Sequence, residues 1–150
     1  MRLNNKMIIF SGKKCLPEVF YYPYLLKIEI KGRCFSNEYF NFFQNINSWL
    51  LSTINNTNNL TIIFDLDYFS KETINPLLEL LLKLSKISKD NNKLILIWKY
   101  EEGDEKIQSY GEYFKDSFEI PLEMKSYKRI HFFKERADKD YSFFRFRITN

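Results

Sequence analysis

LTIIFDLDYFSKETINPLLELLLKL, residues 60–84, is the stretch whose reading decides the fold. Its first seven residues, LTIIFDL, are the most apolar strand-like run in the chain and are expected at the centre of a sheet. A polar turn follows, holding Ser70, Lys71, Glu72 and Thr73. Beyond it, Leu77, Leu78, Leu80, Leu81, Leu82, Leu84 and Ile87 cover more than half of a helix surface, so this helix should be buried broadly. Pro suits a first helical position, which places the helix over 76–88 with Asn75 as its cap. Thr73 is the competing cap, with Pro76 still in the first turn. A hydroxyl at a strand-to-helix corner can close the helix end or serve as a switch.

Working outward, residues 25–31, LLKIEIK, alternate Leu26, Ile28 and Ile30 with Lys27, Glu29 and Lys31, the period of a strand with one wet face. Residues 32–37 read as a turn, with Ser36 or Asn37 as a helix cap and Glu38 where the helix dipole favours negative charge. Tyr39, Phe42, Phe43, Ile46, Trp49, Leu50 and Ile54 then form one stripe of a helix over 38–54, a core stripe rather than a cofactor box. Residues 94–99, LILIWK, are a second central strand; YEEGD at 100–104 is a turn; 105–115 is a short helix; and 118–122 is a strand ending near Pro121. Residues 7–10 and 18–22 are short apolar pieces suited to an edge strand or an arm. Alternating strands and helices imply an α/β layer with parallel neighbours.

The chain has 150 residues, enough for one domain with a real core, and 45% are hydrophobic. Cys15 and Cys34 are too few for a disulfide framework and suit reduced thiols in a cytoplasmic protein. No apolar run approaches the roughly 20 residues needed to span a bilayer. Charge divides the chain. Residues 125–150 carry eight Lys and Arg against three acidic residues, while the whole chain is only +4, so residues 1–124 are close to neutral. The first segment is therefore read as the domain and 125–150 as a basic extension, packed on it as a hairpin of two strand-like runs, 129–133 and 142–148, around a polar turn at 135–140.

Catalytic chemistry is missing from the pattern. His131 is the only histidine and stands apart from both cysteines, so neither a metal set nor a base with its partners is formed. No glycine-rich phosphate loop or nucleophile elbow is present. Glu101, Glu102, Asp104 and Glu105 share a polar turn where solvated carboxylates are the default. These absences favour a binding or regulatory domain over an enzyme, with no catalytic residue, metal or cofactor expected.

WKYEEGDEKIQSYGEYF, residues 98–114, resembles the signature of the SiaC family of bacterial regulatory phosphoproteins: Trp98 and Tyr100 on a strand, Glu101, Glu102 and Asp104 in an acidic turn, and Gly111 and Glu112 on a short helix. Pro17, Glu18 and Val19, then Gly32, then the pair Tyr68 and Phe69 match the family's other motifs, so the resemblance covers about residues 16–124 in order and spacing. It implies a STAS-like domain, a small mixed β-sheet with helices packed on it. It implies a partner-switch adaptor in cyclic di-GMP signalling. By the same resemblance, a Ser/Thr kinase is expected to phosphorylate a threonine in the turn before the second helix, a PP2C-type phosphatase to reverse this, and the unmodified form to bind and activate a diguanylate cyclase. The expected partner-binding residues are Tyr68, Phe69, Lys71, Glu72, Tyr100, Glu101, Glu102 and Asp104. The chain departs from the family where the usual turn, Tyr-Phe-Asn-Thr-Ser-Ser, puts its acceptor threonine on Lys71. Thr73 and then Ser70 are the remaining phosphorylation candidates, Thr73 first because it lies nearest the expected helix start, where a phosphate meets free N–H groups; a simple cap and a constitutively unmodified protein stay open. Ser36, Asn37 and Glu38 replace the usual Pro-Glu-Asn before the first helix.

The alternative rests on the extension, where Phe144, Phe146 and Ile148 alternate with Arg145 and Arg147. Such interleaving suits nucleic acid or an anionic surface. Interspersed acids favour instead an edge hairpin with a solvated basic face.

Overall fold

The computed structural model of the chain describes residues 5–35, 38–91, 93–133 and 143–149, with side chains described only up to 129 and not at 91. The elements in order are β1 (Met7–Phe10), β2 (Glu18–Tyr22), β3 (Lys27–Cys34), α1 (Tyr39–Asn55), β4 (Leu60–Phe69), α2 (Lys71–Asn91), β5 (Leu94–Glu101), α3 (Glu105–Ser117), β6 (Leu122–Phe133) and β7 (Phe143–Thr149). The seven strands lie in one sheet in their sequence order. β3, β4, β5 and β6 are parallel, and β1, β2 and β7 add antiparallel edges. The sheet is therefore mixed, as expected, with a C-terminal hairpin of β6 and β7.

Three successive crossovers step across the sheet in one direction. Right-handed connections of that kind place α1, α2 and α3 on the same face. Register supplies that face with cross-sheet rows. Ile28, Ile62, Leu96 and Leu122 form one; Ile30, Phe64, Trp98 and Met124 form the next. Phe43, Ile46 and Leu50 of α1, Leu77, Leu81 and Leu84 of α2, and Ile107 and Phe114 of α3 close over these rows in a single core cluster. Full burial of such a side chain contributes about 1.5–3 kcal/mol, so the rows hold the helices more firmly than helix propensity does.

The structure revises several sequence boundaries. Helix α2 begins at Lys71, not at Pro76, and neither Asn75 nor Thr73 caps it. Pro76 is tolerated inside because the carbonyl its missing N–H leaves unbonded is that of Glu72, an exposed first-turn residue open to water. Residues 32–34 are not a turn: β3 runs on through Gly32 at φ 123°, a left-handed conformation that suits glycine. The register with β4 shifts there, Gly32 facing Leu66 and Arg33 facing Tyr68, so Asp67 is an extra, bulged residue. The last crossover also ends later than expected. Phe118 closes α3, Glu119 turns at φ 54°, and β6 starts only after Pro121, which has no N–H for a ladder. β6 then crosses residue 124 without a break and pairs with β7 from Tyr127 onward. The expected cap residues Ser36 and Asn37, the turn at 135–140 and the side chains of the basic tail beyond Arg129 lie outside what is described.

Candidate functional site at the β4–α2 corner

The C-terminal ends of β3 and β4 and the N-terminal ends of α2 and α3 meet at one edge of the sheet, where parallel α/β sheets place their functional loops. Tyr68 and Phe69, neighbours in sequence, do opposite work there. Phe69 is 3% exposed and packs inward on Tyr110, with ring centroids 4.7 Å apart, and on Trp98 at 6.2 Å. Tyr68 is 36% exposed and meets the exposed Phe35 edge-on at 5.7 Å. The Arg33 guanidinium lies 5.3 Å from the Tyr68 ring and 5.5 Å from that of Phe35, and the Lys106 ammonium lies 5.8 Å from Tyr68. Two rings thus sit at the surface with cations over them, an arrangement that costs a protein exposed apolar area unless something covers it. Arg33, Phe35 and Lys106 carried no signal in the sequence; the register sets Arg33 beside Tyr68, and the end of β3 and the first turn of α3 bring Phe35 and Lys106 to the same ring.

The two hydroxyls differ sharply. Thr73 is fully buried, and its Oγ1 donates to the Ser70 carbonyl at 2.7 Å while its N–H donates to the same oxygen at 3.1 Å. That pair of bonds closes the first turn of α2. Ser70 is half-buried at the residue before the helix, its N–H tied to the Cys34 carbonyl at 3.0 Å, and its hydroxyl makes no hydrogen bond among the described residues. Lys71 and Glu72 are exposed. Beneath Ser70, Cys34 is buried; its thiol is pushed up to about 12 by that burial and then by nearby Cys15, so it is no nucleophile at neutral pH.

The acidic turn lies one strand away and is occupied with structure. Glu101 pairs with Arg129 at 3.3 Å and Glu102 with Lys128 at 3.9 Å. The Asp104 carboxylate accepts from the Ile107 N–H at 3.1 Å, capping α3. Gly103 takes φ 94° to make the reversal. Trp98, fully buried, donates Nε1–H to the Ile107 carbonyl at 2.9 Å. A Cβ on Gly111 would overlap the Trp98 ring and stop 2.7 Å from Met124 Cε. The block from Trp98 to Glu112 is therefore a lock between β5 and α3: the glycine lets the helix touch the indole, and the aspartate starts the helix at the right height. Tyr100 is half-buried at the end of β5. Pairing with Glu102 and Glu101 also engages Lys128 and Arg129, two cations of the basic segment. Among the described residues no cluster of His, Cys, Asp or Glu could hold a metal ion, and no helix is long and apolar enough to cross a membrane.

The fold is thus a mixed sheet with helices on one face and an aromatic and cationic corner at the end of β3 and β4. Its family is shown by sequence: residues 10–127 match the model of the SiaC family regulatory phosphoproteins, and the chain belongs to that family. Among solved structures it is similar to SiaC of Pseudomonas aeruginosa, with TM-score 0.66 and 15% identity over 81% of this chain and 98% of that one. It is also similar to a chain in the crystal structure of the diguanylate cyclase SiaD in complex with its activator SiaC from Pseudomonas aeruginosa, with TM-score 0.68 and 15% identity over 78% and 97%. No curated protein matches the chain.

Proposed function

We propose that this chain is a cytoplasmic, non-enzymatic signalling adaptor. It docks on a diguanylate cyclase and is controlled by reversible phosphorylation at the β4–α2 corner, through a Ser/Thr kinase and a PP2C-type phosphatase. Family membership supports the class, and the SiaC-like chain solved with a cyclase supports the partner. The observation that carries the site is the Ser70 hydroxyl, which makes no hydrogen bond among the described residues, at a helix start and beside the exposed Tyr68. Lys71, at the position where the family's acceptor is expected, cannot take a phosphate. Burial favours Ser70 over Thr73, because a kinase must reach the oxygen and Thr73 is fully buried. A phosphate on Ser70 would add about −1.5 to −2 charge at neutral pH beside Lys71 and change what the face can dock. Tyr68, Lys71 and Glu72 supply the contact surface, Phe69 supports it from beneath, and Tyr100, Glu101, Glu102 and Asp104 fix the adjoining turn.

The test is incubation with the cognate kinase and ATP, followed by mass spectrometry of residues 68–76. A single phosphate on Ser70 is expected. An unmodified segment would leave a constitutive adaptor, with Lys71 as a permanent positive contact. A cyclase that neither binds nor changes activity when the protein is added would sink the adaptor reading itself.

A further inference from the structure

We propose that Cys15 and Cys34 are a reversible dithiol–disulfide pair, a thiol-modification site that reacts with small disulfides of the glutathione type. They are the two cysteines of the chain, far apart in sequence. The fold brings them together. β2 and β3 are antiparallel, with Glu18 opposite Lys31. Continuing that ladder sets Pro17 beside Gly32, where a Cβ on the glycine would lie 3.7 Å from the Pro17 Cα, and Cys15 beside Cys34. The Phe35 N–H donates to the Cys15 carbonyl at 3.0 Å, so the two backbones are in contact at this level. Cα atoms facing each other across an antiparallel pair are about 4.5–5.5 Å apart, and a disulfide spans about 4.4–6.8 Å. Cys15 is also held in place. It lies in a tight turn whose ends, Lys13 and Leu16, exchange N–H to carbonyl bonds of 3.2 Å each, with Leu16 anchored in the core. The thiols feel each other: after burial, Cys15 is the second cause that raises the Cys34 thiol.

Their exposure divides the roles. Cys15 is half-buried and within reach of a reagent, whereas Cys34 is fully buried at the end of β3. The Cys15 thiolate attacks one sulfur of the small disulfide, forming a mixed disulfide and releasing one small thiol. Cys34 then loses its proton and attacks the Cys15 sulfur, closing the protein disulfide and releasing the second small thiol. Two protein thiols are oxidised, one small disulfide is reduced, and the two thiols released carry away both protons. Burial keeps Cys34 inert toward reagents in solution. Toward a sulfur held against it, an effective concentration of about 10⁵ M or more offsets the small ionised fraction. The bond ties the turn at 13–16 to the end of β3. The Cys34 carbonyl accepts from the Ser70 N–H at 3.0 Å, so the Ser70 amide reports closure.

The test incubates the folded protein with oxidised glutathione, alkylates it and digests it without reductant. A link between Cys15 and Cys34 is expected in the monomer, two hydrogens lighter than the reduced chain and reopened by dithiothreitol. The Ser70 amide resonance should shift between the two states. Cys34→Ala should stop at one glutathione on Cys15, and Cys15→Ala should take up none. A wild-type chain that stops at the glutathione adduct, links only between molecules, or closes only in urea would overturn the proposal. The mapping is read on the wild-type chain, so it stands even where a variant at the buried Cys34 folds poorly.

Discussion

The turn after β4 and the turn after β5 stand side by side on the same edge of the sheet, and both look polar in sequence. In the β5 turn the acidic side chains that the family signature singles out are engaged: Glu101 pairs with the mostly buried Arg129 of β6, Asp104 starts α3, and Glu102 makes only a longer, exposed pair with Lys128. In the β4 corner Arg33, Lys71 and Lys106 are exposed and form no ion pair among the described residues, and the half-buried Ser70 hydroxyl lies at the same corner. Saturated groups contribute stability, and unsaturated ones leave binding energy for another molecule. The contrast teaches that the residues by which this family is easiest to recognise need not be those by which it recognises others.

Stability measurements can break that contrast. Gly111→Val should have the largest effect, about 3 kcal/mol by overpacking against the Trp98 ring, seen as a lower urea midpoint. Trp98→Phe should cost about 2 kcal/mol, since it removes the buried bond to the Ile107 carbonyl, and should also loosen α3 by hydrogen exchange. Asp104→Ala should cost about 1 kcal/mol through the lost cap, measurable as a fall in melting temperature. Arg33→Ala should change stability by no more than about 0.5 kcal/mol while still reducing partner docking. A destabilisation at Arg33 as large as that at Asp104 would erase the distinction between the two turns.

Much of the architecture was legible because the signals are local. The Phe-rich stripe of α1, the LTIIFDL and LILIWK strands and the strand–helix alternation imply an α/β layer with parallel neighbours from pattern alone, and the family resemblance adds that the sheet is mixed. The corner was harder. Pro76 is a strong start signal in isolation, yet the helix begins five residues earlier because the Ser70 carbonyl and the buried Thr73 close a turn that only tertiary packing rewards. Gly111 and Trp98 were visible as motif letters, but the reason for them is a contact between residues 13 apart, brought together by the β5–α3 reversal. Arg33 and Lys106 come from other elements altogether: the β3–β4 register places the first on Tyr68, and the packing of α3 places the second.

The extra residue in β4 acts as a phase shifter. Up to Leu66 the strand's inward side chains keep step with the core rows; after Asp67 the step is advanced by one, so that Phe69 turns in and Tyr68 turns out. Side chains alternate with a period of two along a strand, so a β4 that ran through Asp67 without the bulge would invert everything beyond it. Tyr68 would then point into the helices and Phe69 toward solvent, with no substitution at either residue. The chemistry presented at this edge is in that sense written by counting as much as by composition: one bulged residue decides which of two adjacent rings the outside world meets.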